Sequence, residues 1–470
     1  MRRVVTVLQL VALPVVLVAA WWVLSAGSTS PFFPPLRDIA EAFRANWLFE
    51  RVGSDAVPSL ARMLEGYALA LLLGIGVGVP LGLLPLLRAS LEPALEYLRA
   101  LPVVALIPLF VVMTGIGDLT KVLVIALGAV WPILLNTKDG VRAVDLELTE
   151  MSRVYQLSPI QRVQFIVLPS ALPQIFAGAR TALAISFIVM VISERLAATN
   201  GIGYCVLQSQ SSFAITDMWS GILLLGILGY LFNIASLAIQ NRALRWHTAT
   251  EPASRQGPDE NEHVNEWSPM NHNGARSVLS VKGLAKVYGT GATAVRAIDD
   301  VSFDVTEGEY VSIVGPAGAG KTTLLKCLAG LLSITEGSAE FLGRPVTGPP
   351  EGLALVFQDY SRSLAPWMSV LDNVTLPLRA RRMPKLERHE RGMEAMEGVG
   401  LADRVHQYPW EMSGGMQQRA AIARGLACQP KLLLMDEPMA SVDAQTRAGP
   451  GGLDPQCAQP VPRHPAAGHP

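Results

Sequence analysis

The sequence predicts two fold classes in one chain: an all-α membrane domain of six spans, followed by an α/β domain. Three observations carry this. Half of the 470 residues are apolar and 16% are charged, with a mean hydropathy of +0.34, whereas soluble proteins carry roughly 25% charged residues. The charge poverty belongs to the first half: positions 1–250 hold 17 basic and 14 acidic side chains, and the rest hold 21 and 25. The second half also alternates short β-branched runs with helical stretches from Val278 onward, the pattern of an α/β domain. Lys plus Arg total 38 against 39 Asp plus Glu, so no basic excess draws the chain to nucleic acid. Cys205, Cys327, Cys428 and Cys457 stand far apart, which excludes a disulfide framework or a zinc site.

Val4 to Leu24 is a nearly uncharged run behind Met1-Arg2-Arg3. At about 20 residues it is long enough to cross a bilayer and too long for a cleaved signal peptide, and Trp21-Trp22 suits an interface belt. Further apolar runs at Leu60 to Leu87, Leu101 to Thr114, Val122 to Leu135, Pro173 to Ile192 and Trp219 to Ile239 complete the six. With the N-terminus inside, the cytoplasmic segments carry Arg88 and Arg99, then Lys138, Arg142, Arg153 and Arg162, then Arg242 and Arg245. This agrees with the positive-inside rule, although Arg37, Arg44 and Arg51 in the first outer loop dilute it. Gly74, Gly76, Gly78, Pro80, Gly82 and Pro85 are tolerated in a span where neighbouring helices repair the backbone and small residues allow close packing. Arg180 lies inside the fifth run and Glu194 follows it. The plain expectation is that Glu194-Arg195 sits at the outer interface and that Arg180 snorkels or pairs.

The loop from Glu147 to Pro173 contains Glu150-Met151-Ser152 and, after a fixed gap, Ile166-Val167-Leu168-Pro169. This resembles the EAA loop of binding-protein-dependent ABC importer permeases: E-A-A, three residues, Gly, nine residues, then I-x-L-P. In that family the loop forms a short coupling helix docking on the ATPase. The resemblance assigns Glu150, Ile166, Leu168 and Pro169 to the coupling loop, with Gln156 standing where the family has Gly. The wider pattern, from Phe32-Phe33-Pro34 to Asn200-Gly201-Ile202-Gly203-Tyr204, looks like the nitrate, sulfonate and taurine permease group.

Residues 247–276 are polar and without apolar period, as in a flexible linker. Beyond them, Gly315-Pro316-Ala317-Gly318-Ala319-Gly320-Lys321-Thr322 fits G-x-x-x-x-G-K-S/T, between a strand-like Tyr310 to Val314 and a helix-forming Leu324 to Leu328. That context defines a P-loop: Gly315, Gly318 and Gly320 admit phosphates to backbone N–H groups, the helix N-terminus with Thr323 assists, Lys321 reaches the β and γ phosphates, and Thr322 ligates Mg²⁺. Lys431 to Met435 reads as a buried strand ending in Asp436 and Glu437, a Walker B pair. Asp436 would hold Mg²⁺ through water, and Glu437 would orient or deprotonate the attacking water.

Ser413-Gly414-Gly415-Met416-Gln417 resembles the signature motif of ABC ATPases, which implies a head-to-tail dimer with two ATPs between P-loop and signature. The same resemblance assigns Tyr288 to adenine stacking, Gln358 to the Q-loop with a role at the Mg²⁺ and in catalysis, and Asp443 to the D-loop, and places Ser413, Gly414, Gly415 and Gln417 at the nucleotide. After Arg447 the family has a helix, a strand and a switch histidine, whereas here Gly449-Pro450-Gly451-Gly452-Leu453-Asp454-Pro455 can form neither element. His464 and His469, each followed by Pro, do not fill that place. Read one base later with suitable synonymous codons, GPGGLDPQ becomes the helix-like DLEDLIL, as a frameshift would produce.

The expected organisation is a permease domain at 1–246, the linker at 247–276, an incomplete ABC ATPase domain at 277–447 and an aberrant tail at 448–470. The resemblance implies ATP-driven import of a small anion with ATP and Mg²⁺ as cofactors. It also implies a homodimer or second ABC subunit, a separate extracytoplasmic solute-binding protein, and a place in the cytoplasmic membrane with the ATPase on the cytoplasmic side. The alternatives are an exporter half-transporter, or a defective subunit relying on an intact ATPase partner.

Overall fold

The computed structural model describes residues 12, 16–28, 30, 32–250, 277–289 and 294–437. It divides into two compact units, residues 1–144 with 162–254, and residues 145–161 with 255–470. Most of the first apolar run, residues 251–276 of the expected linker, Asp443 and the tail lie outside the described residues. The first residues of that linker, 247–250, are instead helical, within Arg245–Thr250.

In the first unit α1 (Leu36–Ala45) precedes α2 (Val57–Leu83), α3 (Pro85–Ala100), α4 (Ile107–Thr114) and α5 (Asp118–Arg142). The next helix, α6 (Leu146–Val154), belongs to the second unit, and the first resumes with α7 (Leu168–Ala197), α8 (Ile202–Ser211) and α9 (Ile215–Ala243). Among the described residues four helices, Val52–Leu83, Asp118–Arg142, Pro159–Leu196 and Ile215–Ala243, are long and apolar enough to cross a membrane. The run expected as a third span, Leu101 to Thr114, forms the short stretch Val103–Thr114, which meets the preceding Pro85–Ala100 at 85°; the two make a fifth candidate only if taken together. Pro102 stands at that break, because proline lacks the N–H a continuing turn needs.

Gly66, Ala70, Gly74, Gly78 and Gly82 recur every fourth residue on α2 and so form one face. A Cβ on Gly74 would stand 2.7 Å from the Ile133 side chain, and one on Gly78 would stand 2.7 Å from that of Thr137. The two helices therefore approach as closely as their backbones permit. Gly76, on another face, has nothing within 4 Å of its Cβ position. Gly74→Leu is expected to lower the melting temperature of the detergent-solubilised chain by forcing α2 from α5, an overpacking cost of about 1–3 kcal/mol. Gly76→Ala is expected to leave it unchanged or raised, and equal effects from the two would contradict this packing.

Glu194 is wholly buried. Its carboxylate accepts from Ser59 Oγ at 2.6 Å and from the Gly203 N–H at 3.0 Å, and it pairs with Arg62 Nη1 at 3.1 Å. Arg62 also donates to Asn200 Oδ1 at 2.7 Å and pairs with Asp118 at 2.7 Å. Gly201 has φ 122°, and a Cβ there would collide with the Glu194 carboxylate. The Asn200-Gly201-Ile202-Gly203 string is thus a turn wrapped around a buried anion. Glu194 is thus enclosed by protein groups, while the adjoining Arg195 is exposed.

In the second unit an antiparallel sheet of β1 (Ser277–Tyr288), β2 (Val295–Thr306), β3 (Glu336–Phe341) and β4 (Arg344–Pro345) runs in the order β2-β1-β3-β4. Helix α10 (Lys321–Leu328) follows the glycine loop. Strand β5 (Leu353–Val356) pairs in parallel with β6 (Leu432–Met435), Leu353 opposite Leu432 and Val356 opposite Met435. Between them lie α11 (Tyr360–Ser363), α12 (Val370–Ala380), α13 (Lys385–Gly398) and α14 (Gly414–Ala427). Tyr310 to Val314, expected as a strand, is not one: Tyr310 is 80% and Val314 72% exposed. A strand exists only as a rung of a ladder, and among the described residues no chain segment pairs with this one.

Candidate active site

Parallel pairing of β5 with β6 brings their carboxyl ends together, where α/β sheets hold their ligands. Gln358, two residues beyond β5, donates from Nε2 to Glu437 Oε2 at 2.6 Å. Glu437 has φ 48°, in the left-handed region a side chain rarely adopts. Asp436 beside it is 7% exposed. Burial pushes its carboxyl above the usual range, and a hydrogen bond from Thr322 pulls the other way. Thr322, Asp436, Gln358 and Glu437, from three separate stretches, therefore meet at one place.

The glycine loop reaches this place from the other side. Gly318 and Gly320 have φ of 82° and 86°, and a Cβ on Gly320 would collide with the Ala297 carbonyl. Lys321 folds over the loop, its Nζ donating to the Gly315 and Pro316 carbonyls at 2.6 and 3.0 Å. Thr322 and Thr323 follow in the first turn of α10, half-buried, where helix N–H groups have no partners within the helix. Tyr288 closes β1 with its ring 42% exposed and Lys286 Nζ 5.4 Å from its centroid, so one face of an aromatic ring is open to a flat ligand.

Ser413 is the N-cap of α14, without a side-chain capping bond, and Gly414 and Gly415 form its first turn. Gln417 turns back to its own loop, donating to the Pro409 and Met412 carbonyls at 2.7 and 3.3 Å. Its amide is thus tied to the loop that precedes the helix, and the side chain is half-buried.

The expected coupling residues divide. Glu150 lies on α6 in the second unit, while Ile166, Leu168 and Pro169 lie in the first, at the entry to α7, with Ile166 wholly buried. Within the second unit Glu150 pairs with Lys326 of α10 at 2.9 Å. Tyr155 is 5% exposed, its ring centroid 5.6 Å from the Arg424 guanidinium of α14, and burial pushes its hydroxyl up to about 12. Arg424 is wholly buried, which lowers its pKa, and it donates to the Ser363 carbonyl and Oγ at 2.6 and 2.8 Å. Gln156 Nε2 donates to the Pro349 carbonyl at 2.9 Å.

Sequence reasoning missed Lys326, Ser363, Tyr155 and Arg424. Arg424 carried a signal, as the sole charge on the small-residue face Ala420, Ala421, Ala423, Gly425 and Ala427. Tyr155 carried none, because nothing in a loop's own sequence says which pocket receives it.

Gln156 has φ 53°, which explains why the resembled family has glycine here: α6 ends in a left-handed residue, which glycine adopts without a Cβ clash. Gln156→Gly is expected to stabilise the docked segment by about 0.5–1 kcal/mol, seen as a higher urea midpoint for the full chain. A lower midpoint would show that the Pro349 bond outweighs the backbone strain.

Residues 298–440 match the family model described as ABC transporter, and residues 70–245 match that of the binding-protein-dependent transport system inner membrane component. The nitrate transport protein NasD of Klebsiella oxytoca is 42% identical over 176 residues, 37% of this chain and 66% of that protein. The taurine import ATP-binding protein TauB of Chromobacterium violaceum is 48% identical over 151 residues, 32% of this chain and 57% of that protein. The putative aliphatic sulfonates transport permease protein SsuC of Bacillus subtilis is 29% identical over 241 residues, 51% of this chain and 87% of that protein. The chain thus spans about six tenths of the length of the ATP-binding relatives it matches.

Proposed function

We propose that this chain, in which a binding-protein-dependent inner-membrane transport component is joined to an ABC transporter domain, imports a small anion of the nitrate, sulfonate or taurine kind into the cytoplasm using ATP. The observation that carries this reading is the docking of one segment, residues 145–161, beside all three nucleotide-facing motifs of the second unit. Glu150 grips Lys326, one helical turn beyond Thr322 on α10. The Tyr155 hydroxyl stands 3.5 Å from the Leu355 carbonyl of β5, the strand that leads to Gln358. Its ring faces Arg424, on the helix that opens with Ser413 and Gly414. A shift of any of these motifs on binding ATP therefore moves the loop that leads into α7.

Lys321 and the loop N–H groups would hold the phosphates, and Tyr288 would stack on the base. Thr322, Asp436 and Gln358 offer only hard oxygen donors, a set suited to Mg²⁺, which when bound would neutralise charge building on the phosphates. Glu437 takes the proton of the attacking water, and Gln358 holds its carboxylate in place. Ser413, Gly414 and Gly415, with Asp443, serve the nucleotide of a second copy or a second ABC subunit. In this reading six spans lie in 1–246 with the ATPase at 277–447 on the cytoplasmic side, and a separate binding protein delivers the solute.

The unpaired Tyr310 to Val314 favours a second reading, a subunit that turns over ATP only beside an intact ATPase partner. Uptake of labelled taurine or nitrate into vesicles that carry the chain, ATP and a binding protein tests both. Uptake with the chain alone supports the first reading. Uptake only after adding a second ATPase supports the other, and ATP-driven efflux without a binding protein overturns both.

A further inference from the structure

Arg180 is a charged side chain inside an apolar helix, and nothing above uses it. It lies on α7 about 10 Å along the axis from Pro173, where the apolar run begins. Its Nε donates to Asn233 Oδ1 of α9 at 3.3 Å. Asn233 sits at a matching depth, about 9 Å before the apolar run ends at Ile239. Among the described residues no carboxylate pairs with Arg180. Both side chains are exposed, on a face where α7 also presents the small residues Ala177, Thr181 and Ala184.

Hydrocarbon strongly disfavours a guanidinium, and arginines within spans face a protein interior or a water-filled cavity. Among the described residues no helix covers this face, and a water-filled path between copies is the surroundings that suit it. Asn233 occupies Nε and so fixes the plane of the fork, leaving Nη1 and Nη2 side by side, the arrangement that meets two oxygens of one oxyanion. The amide that accepts through Oδ1 keeps its Nδ2 donor for a third oxygen.

We propose that Arg180 and Asn233 form an oxyanion-binding station on the translocation path, taking a nitrate or a sulfonate. This rests on the reading of the first unit as an anion permease. A lipid phosphate has the same chemistry, and the test separates the two sources by access from water.

Thr181→Cys, next to Arg180 on the same face, is placed in the full chain in lipid nanodiscs, with Cys457→Ser; the other native thiols are buried. Two membrane-impermeant methanethiosulfonates are compared, one bearing a sulfonate and one a trimethylammonium. The sulfonate reagent is expected to react faster, and Arg180→Gln is expected to lower the sulfonate-to-ammonium rate ratio roughly tenfold or more, since a fixed charge in a low-dielectric cleft concentrates its counter-ion by at least that factor. Arg180→Lys should keep the preference, and free ethanesulfonate should slow the reaction. A Thr181→Cys thiol inert to both reagents places the face against lipid and overturns the proposal, as does a ratio that Arg180→Gln leaves unchanged. If Thr181→Cys does not assemble, Ala184→Cys on the same face gives the same readout. The assay needs no ATP, so a chain that labels with anion preference but takes up no solute even with a binding protein and a second ATPase present refutes the import reading and leaves the anion site itself standing.

Discussion

Glu437→Gln lowers ATP hydrolysis by about 10²–10⁴-fold, the usual worth of a positioned general base, while nucleotide binding persists. The side chain ends β6 beside Asp436 and is held by Gln358 at 2.6 Å. Glutamine matches glutamate in size and still offers an oxygen acceptor, so the loop can keep its shape, but the amide cannot take a proton from water. Lys321 and Thr322 are untouched, so binding of a fluorescent ATP analogue should stay within about threefold of wild type, a difference of ~0.6 kcal/mol. Hydrolysis within the same margin would show that Glu437 is not the base.

Tyr155→Ala has the second largest effect. The ring is almost fully buried against Arg424 and β5, and its loss empties a pocket there. Removing a buried aromatic costs about 3–5 kcal/mol, and Arg424, without a carboxylate partner among the described residues, loses the ring its charge faces, a contact worth about 2 kcal/mol when desolvated. The docking of residues 145–161 should weaken by at least about 10²-fold, seen as protease cleavage within this segment. Tyr155→Phe keeps the ring and loses only the hydroxyl's bond with Arg424 and its long, weak 3.5 Å contact with Leu355, so it is expected to stay much closer to wild type than Tyr155→Ala. The hydroxyl itself sets a pH limit. Its pKa is raised from 10.0 to about 12 by burial, so the docked state favours the neutral form. Docking should be insensitive to this group below pH 10 and weaken as pH rises towards 12, and cleavage that rises at lower pH would require another group.

Much of this was legible because it is local. The glycine loop declares itself by spacing, since Gly320 sits where a Cβ would strike a backbone carbonyl. The Asp436-Glu437 strand declares itself by a run of apolar residues ending in two carboxylates. The spacing of Glu150 to Ile166 identified the loop, and the irregular Gln156 proved to sit at a left-handed turn. What the sequence hid depends on residues far along the chain. The partner of Glu194 is Arg62, and that of Tyr155 is Arg424, pairings that no periodicity encodes. Tyr310 to Val314 has strand composition but no neighbour to complete a ladder among the described residues. The third apolar run, Leu101 to Thr114, was read as a span from hydropathy alone, which does not register the sharp break at Pro102 that sets it off from the helix before it.

The central claim is that residues 145–161 tie the nucleotide site to the spans. Its most direct measurement is solute uptake and ATP hydrolysis followed in the same proteoliposomes, for wild type, Tyr155→Phe and Tyr155→Ala, with the binding protein and any required partner ATPase present. Solute moved per ATP hydrolysed is expected to be close in the first two and to fall by about tenfold or more in Tyr155→Ala, as for a lost contact of a few kcal/mol. An unchanged ratio in Tyr155→Ala would contradict the claim, because transport would then be driven through some other connection.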